Sequence, residues 1–191
     1  MLKDFRKRMK EYNDILNIDE IARRYLIMNA FDGVLTILGI LVGSLFAGIS
    51  DVRIILVAGF GASIAMGVSG VWGAYLTEKA ERQKKLKDLE KSMLSKLKKT
   101  KIGRATKAAP YILAVIDGLA PFFAAFLALS PFFFLPIQTA YYASVGIGFT
   151  LLFLLGLFLG KISKENMIIF GLKMVLAGLV AVALSSLLGF K

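Results

Sequence analysis

Five apolar runs of about twenty residues or more fill most of this chain, and they constrain it more than any other feature. They cover residues 25–49, 53–75, 109–130, 139–160 and 166–188. Each is long enough to cross a hydrocarbon layer of ~30 Å, which takes about 20 helical residues. With 57% of its 191 residues apolar and a mean hydropathy of +0.71, the chain is too hydrophobic for one water-soluble core. The sequence therefore predicts an all-α, polytopic membrane protein with five transmembrane helices and no soluble domain of ordinary size. Its segments are an N-terminal piece (1–24), spans one and two (25–76), a basic helical arm (77–108) and spans three to five (109–191).

Charge orients these spans. The first 24 residues hold seven Lys/Arg, residues 77–107 hold twelve and "KISK" (161–164) holds two, whereas "SD" (50–51) and "PFFFLPIQ" (131–138) hold none. Positive charge is retained in the cytoplasm, so the N-terminus, the arm and the fourth loop are expected inside, with Lys191 outside. Tyr25, Trp72, Tyr75 and Tyr111 then fall near the inner interface, and Tyr141 and Tyr142 near the outer one. Most of the net charge of +11 is thus a topology signal. No aromatic platform accompanies the lysines, which argues against nucleic acid. Anionic lipid heads are the expected partner of the arm. No apolar segment with a small-residue cleavage site follows the charged N-terminus, so no secretory signal is read there.

Composition excludes much chemistry. Cysteine and histidine are absent, which removes disulfides, thiolate nucleophiles and the usual zinc ligands. Soluble-enzyme readings fail for want of a nucleophile–base pair or a cofactor loop, and no permanently bound cofactor is expected. A metal would be held by oxygen ligands or methionine sulfur; oxygen suits Mg, Ca and Mn, with ferrous iron borderline.

Two polar pieces carry apolar stripes. Leu2, Phe5, Met9, Tyr12 and Ile15 recur at three- and four-residue steps, predicting a helix over 2–16 lying on the membrane surface. Asn17 or Asp19 would cap the helix that follows. Beyond the second span the helix is expected to continue, with Glu78→Arg82 and Glu81→Lys85 as i,i+4 pairs and Leu86, Leu89, Met93 and Leu97 as one stripe. A solvated helix outweighs an ion-collecting role for Glu78 and Glu81, because lysines crowd them. Gly39/Gly43 and Gly156/Gly160 form GxxxG pairs, and Gly67, Gly70, Gly73 and Ala74 line much of the second span. Small residues let helices approach closely in lipid; bundle packing is the first reading and a homodimer through the first two spans the second.

Three ionisable residues lie inside the spans: Asp32, Asp117 and Lys173. Each costs roughly 2.5–3.5 kcal/mol at a helix centre on insertion scales, which makes function the default reading. At 1.5 Å per residue all three come out about 10–12 Å deep, in one layer. Asn29, Asp32, Thr36, Gly39 and Gly43 share a face of the first span, with Met28 one turn before Asp32. An amide, a carboxylate, a hydroxyl and a thioether there suit a partly dehydrated cation. "IDGLAP" (116–121) repeats the acid on the third span, where Gly118 and Pro121 are expected to weaken the helix and free carbonyls. The alternative is structural: one Asp pairs with Lys173, or Lys173 snorkels to the interface.

These residues carry a resemblance. "NAFDGVLTILGILVG" (29–43) is similar to the opening span of the vacuolar iron transporter (Ccc1/VIT) family, with its Ala-x-Asp-Gly-x-x-Thr pattern. "GFGASIAMGVSGVWGAYLTEKAER" (59–82) resembles that family's second span, which carries a Ser-Met-x-x-Gly-Glu-Tyr/Phe-x-Ser core. "LFLLGLFLGKISKENMIIFGLKMVLAGLVAVALSSLLG" (152–189) resembles its last two spans. The resemblance implies dimers of five-helix protomers that export Fe²⁺, sometimes Mn²⁺, from the cytosol against protons. It also implies an intramembrane site made of the first-span Asp with a Met and a Glu from the second span, and an acidic collecting arm. Laid on the family core, residues 69–77 put Gly70 where the family has Met and Ala74 where it has Glu. Met66 lies one turn away. The arm holds twelve basic and four acidic residues over 77–107, so the acidic collector is missing.

The expectation is a divalent-cation transporter, for Fe²⁺ or Mn²⁺, exchanging the metal for protons. Asp32 is the principal ligand, Asp117 replaces the lost second-span acid, Met66, Met28, Asn29 and Thr36 assist, and Lys173 is the charge partner. The rivals are a membrane scaffold or regulator that kept the fold and lost the site, or a transporter of another solute. The compact size points to a prokaryotic cell membrane.

Overall fold

A computed structural model of the chain describes residues 10–187. Five long helices follow one another: α1 (Ile18–Phe46), α2 (Val52–Ser92), α3 (Lys101–Leu129), α4 (Ile137–Ser163) and α5 (Met167–Leu187), with a 3-10 turn over Ser130–Phe133. All five have the length and apolar composition to cross a membrane. Among the described residues no strand occurs. Leu2, Phe5, Met9 and Leu188 lie outside the described residues.

Local chemistry sets the helix ends. α1 stops where Gly48 adopts φ +68°, letting Ile49 N–H reach back to Ser44 C=O and Gly48 N–H to Leu45 C=O. This left-handed glycine satisfies carbonyls that the helix leaves open. Asp51 then starts α2, its Oδ1 accepting from Arg53 N–H at 2.8 Å. Asn166 does the same for α5, taking Ile168 N–H and Ile169 N–H on its Oδ1. At the start of α1 the accepting side chain is Asn13, whose Oδ1 takes Asp19 N–H. Asn17 is the left-handed joint, with φ 49°.

Residues 10–26 and 68–119 form one compact unit, and residues 27–67 and 120–187 form another. In the first, Ile18, Ala109 and Leu113 are buried together, with Tyr12, Leu16, Ile21 and Tyr25 packed on them. Tyr12, expected on a lipid-facing stripe, is partly buried against this cluster, and Glu11 pairs with Lys101. The arm also departs from expectation. α2 ends at Ser92, Leu94 turns left-handed (φ 49°), and Glu90 Oε1 accepts Leu97 N–H at 2.7 Å. Leu97 is therefore in the turn and not on the Leu86–Leu89–Met93 stripe. The arm is two helix ends joined by a reversal.

The second unit holds the main apolar core. Ile37, Leu41, Ile55, Ala128, Leu129 and Phe132 form one cluster, and Val34, Leu38, Ala124 and Leu152 another. Glycines set the closest approaches. A Cβ on Gly33 would stand 2.8 Å from Pro121 Cα, and one on Gly156 would stand 2.5 Å from Gly171 Cα. The Gly156/Gly160 pair thus brings α4 onto α5, as small residues in lipid should. Gly39/Gly43 does not act this way within the chain: Gly39 has only an ordinary contact and Gly43 faces open space. Tyr142 is exposed, while Tyr141 is buried and donates to Ile49 C=O at 3.0 Å.

Candidate functional site

Asp32 and Thr36 lie one turn apart on α1. The Thr36 hydroxyl donates to Met66 Sδ of α2 at 3.4 Å, so a hydroxyl and a thioether from different helices meet one turn beyond the acid. The Asp32 side is exposed on the protein surface, and Met28, one turn before it, is 56% exposed. Asn29 is half-buried. Close approach is possible here because Gly33, the next residue after Asp32, has no side chain to hold Pro121 away.

Asp117 is placed otherwise. It is 6% exposed and belongs to the first unit, whereas Asp32 belongs to the second. Its carboxylate fills the space over Gly70, where a Cβ would stand 2.9 Å from Oδ2. Gly70 is the position at which the resemblance expects methionine. α3 runs unbroken through Gly118 and Pro121, which corrects the expected local weakening. Packing holds the helix there, although Pro121 has no N–H to give the Asp117 carbonyl.

Around Asp117 the sequence reading missed a polar group. The Tyr25 hydroxyl lies in electrostatic reach of Asp117 and donates to Glu78 Oε1 at 3.0 Å. Arg82 Nε donates to Glu78 Oε2 at 2.8 Å. Glu78 and Arg82 are 5% and 6% exposed, so this i,i+4 pair is not the solvated face the sequence suggested. The exposed pair is Glu81–Lys85, at 3.8 Å. A signal was present: Ala74, Glu78, Arg82 and Leu86 recur every four residues, and all four are buried. Charges set on an apolar stripe mark a buried network, because one partner without the other is costly.

Lys173 Nζ stands 5.0 Å from the Phe170 ring centroid, a cation–π contact, and among the described residues it forms no ion pair. Among them also, no three carboxylates gather as a metal cluster.

The sequence profile of the VIT family matches residues 23–101 and 87–190, taking in all five helices. The chain belongs to the VIT family. It is also 42% identical over 168 residues, 86% of either chain, to "Uncharacterized protein MJ0645" of Methanocaldococcus jannaschii. Membership of the VIT family, with five membrane-length helices, points to an integral, multi-pass membrane transporter of metal or other ions. Within this VIT chain, Asp117 packs on Gly70, the position at which the resemblance expects methionine.

Proposed function

We propose that this VIT-family chain transports a divalent cation, ferrous iron or manganese, out of the cytosol in exchange for protons. Asp32 is the principal ligand and proton acceptor, with Thr36 and Met66 as the neighbouring hydroxyl and thioether, and Met28 and Asn29 as outer donors. Asp117 supplies the second acid of the pathway. A cation and a proton compete for the same carboxylate, so loading the metal releases the proton and unloading restores it. The observation that carries this reading is the Asp117 carboxylate seated over Gly70. Where the family resemblance puts a methionine side chain, this chain offers an acidic group from α3, and an acid buried in an apolar span is costly without a task.

A homodimer through α1 and α2 accompanies the proposal. Gly43, Gly61 and Gly73 have open space where a side chain would stand, and Val57, Ile64, Val68 and Trp72 are exposed along α2. Small residues beside bulky apolar ones suit helix contact in lipid.

The test is flux into liposomes loaded with a metal-sensitive dye, using the native chain, Asp32→Asn and Asp117→Asn. Uptake of Fe²⁺ or Mn²⁺ by the native chain, accompanied by opposite proton movement and lost in Asp32→Asn, is expected. No metal-dependent signal across Fe²⁺, Mn²⁺, Co²⁺ and Zn²⁺ would leave a scaffold that has kept only the fold.

A further inference from the structure

The lysines of the arm are not spread evenly in space. The charged end of α2, the reversal at 93–100 and the first turns of α3 enclose a cavity of about 460 Å³. Lys79, Lys87, Lys98 and Lys107 line it, against one acid, Glu90. That acid is already engaged, since its Oε1 accepts Leu97 N–H. The other carboxylates of the arm do not offset the four ammonium groups either. Glu78 is held by Arg82 and Tyr25, Glu81 by Lys85, and Asp88 is not part of the lining. Among the described residues none of the four lysines forms an ion pair with a carboxylate.

Like charges facing one cavity repel, and salt screens them only beyond about 8–10 Å. The fold nevertheless gathers them, by turning the chain back at Leu94 so that Lys98 and Lys107 face Lys79 and Lys87. The walls add neutral donors. The Thr106 side chain is buried at the cavity, and the Tyr75 and Tyr111 hydroxyls meet at 3.3 Å. Lys79 Nζ donates to Tyr75 at 3.1 Å. The cavity therefore has a floor where the apolar part of α2 ends and a rim of ammonium groups without a carboxylate partner among the described residues. Lysines act as point charges and do not make the planar forks that match carboxylates, and a cluster of them suits tetrahedral phosphate.

We propose that this cavity is a binding site for a phosphate-bearing anion of two or more charges, either a phosphorylated lipid headgroup or a soluble phosphate ester. The site stands on the first unit alone and does not depend on which ion the protein carries. Its occupation would neutralise the cluster and brace the reversal between α2 and α3.

The experiment uses the full chain in nanodiscs. In discs of phosphatidylcholine alone, pyrophosphate is titrated by calorimetry; in a second arm, the melting temperature is compared between discs with and without phosphatidic acid. The variants are Lys79→Gln/Lys98→Gln/Lys107→Gln in the cavity, and Lys84→Gln/Lys91→Gln/Lys96→Gln, which removes equal charge from the same arm outside it. Pyrophosphate binding that weakens at least about tenfold in the cavity variant alone, the effect of losing one charge-assisted contact or more, identifies a soluble ligand. A phosphatidic-acid-dependent rise in melting temperature lost only in the cavity variant identifies a lipid headgroup. Absence of both effects in the native chain, or equal losses in the two triple variants, would overturn the site. Metal flux is measured separately, so failure here leaves the transport reading standing.

Discussion

Asp32 and Asp117 look alike in the sequence, each an Asp-Gly pair at similar depth in an apolar run, and the fold treats them in opposite ways. Asp117 is enclosed, with its carboxylate over Gly70 and Tyr25 nearby, in a unit that also buries Glu78 and Arg82. Asp32 is left on the exposed side of α1, one turn from a hydroxyl already directed at a thioether. The difference teaches that the cost of a charge in an apolar helix is met in two ways. It is met by neighbours from other helices, or, on the function proposed above, it is left to be met by the transported ion.

Four substitutions press on this contrast. The largest expected effect is on the enclosed side. Arg82→Met leaves Glu78 buried without its cation and should lower the unfolding free energy in detergent by about 3–5 kcal/mol, whereas Glu78→Gln/Arg82→Met should recover most of it. Denaturation curves check this, and an unchanged single variant would mean that the pair is solvated. On the open side, Asp32→Asn should reduce metal flux at least about a hundredfold, as loss of an ionic contact worth about 3 kcal/mol would, and leave the melting temperature as it was. If flux persists while stability falls, the two acids have exchanged roles.

Gly70→Ala sharpens the contrast further. The new Cβ would press on Asp117 Oδ2, and the crowding should cost about 1–3 kcal/mol. Asp117→Ala in the same chain should relieve it, so the double variant melts above Gly70→Ala alone. Additive losses would mean that the two positions do not touch. The smallest effect is expected at Thr36→Val, which keeps the side-chain shape but removes the donor to Met66. It should cost less than about 1 kcal/mol and change the relative rates of Fe²⁺ and Mn²⁺ transport more than stability. Competition flux with the two metals reads the ratio.

Much of the fold was legible because lipid leaves the backbone few choices. A run of twenty apolar residues must satisfy its own N–H and C=O groups, and a helix does so. Each of the five spans therefore lies largely on one of α1 to α5, the first running past Phe46 into the turn that follows. The errors fall where the medium is water and tertiary contact decides. Leu97 fits a helical stripe by spacing, yet the Glu90 carboxylate captures its N–H and the chain reverses. Tyr12 fits a membrane-facing stripe, yet part of its surface packs against a cluster of Ile18, Ala109 and Leu113. Gly39/Gly43 and Gly156/Gly160 have the same spacing, and of the two pairs it is the second that meets a neighbouring helix backbone closer than a side chain would allow.

The candidate site was legible in its parts. Asp32, Asp117, Met66 and Thr36 stand out as polar or soft groups in apolar runs. The Thr36–Met66 contact joins helices thirty residues apart in sequence, a distance no periodicity covers. Tyr25 resembled an interfacial aromatic and Glu78 a solvated acid, because each was read against its own helix.

By itself, the amino-acid sequence determined the medium, the number of helices, most of their limits and the rare groups whose burial demands a reason. Those follow from hydropathy and backbone hydrogen bonding, which act along the chain. Only the tertiary structure decided which acid is enclosed and which is open, that Gly70 makes room for Asp117, and that four lysines of the arm line one cavity. Those depend on which side chains from distant segments share a volume, and spacing along a single helix does not encode it.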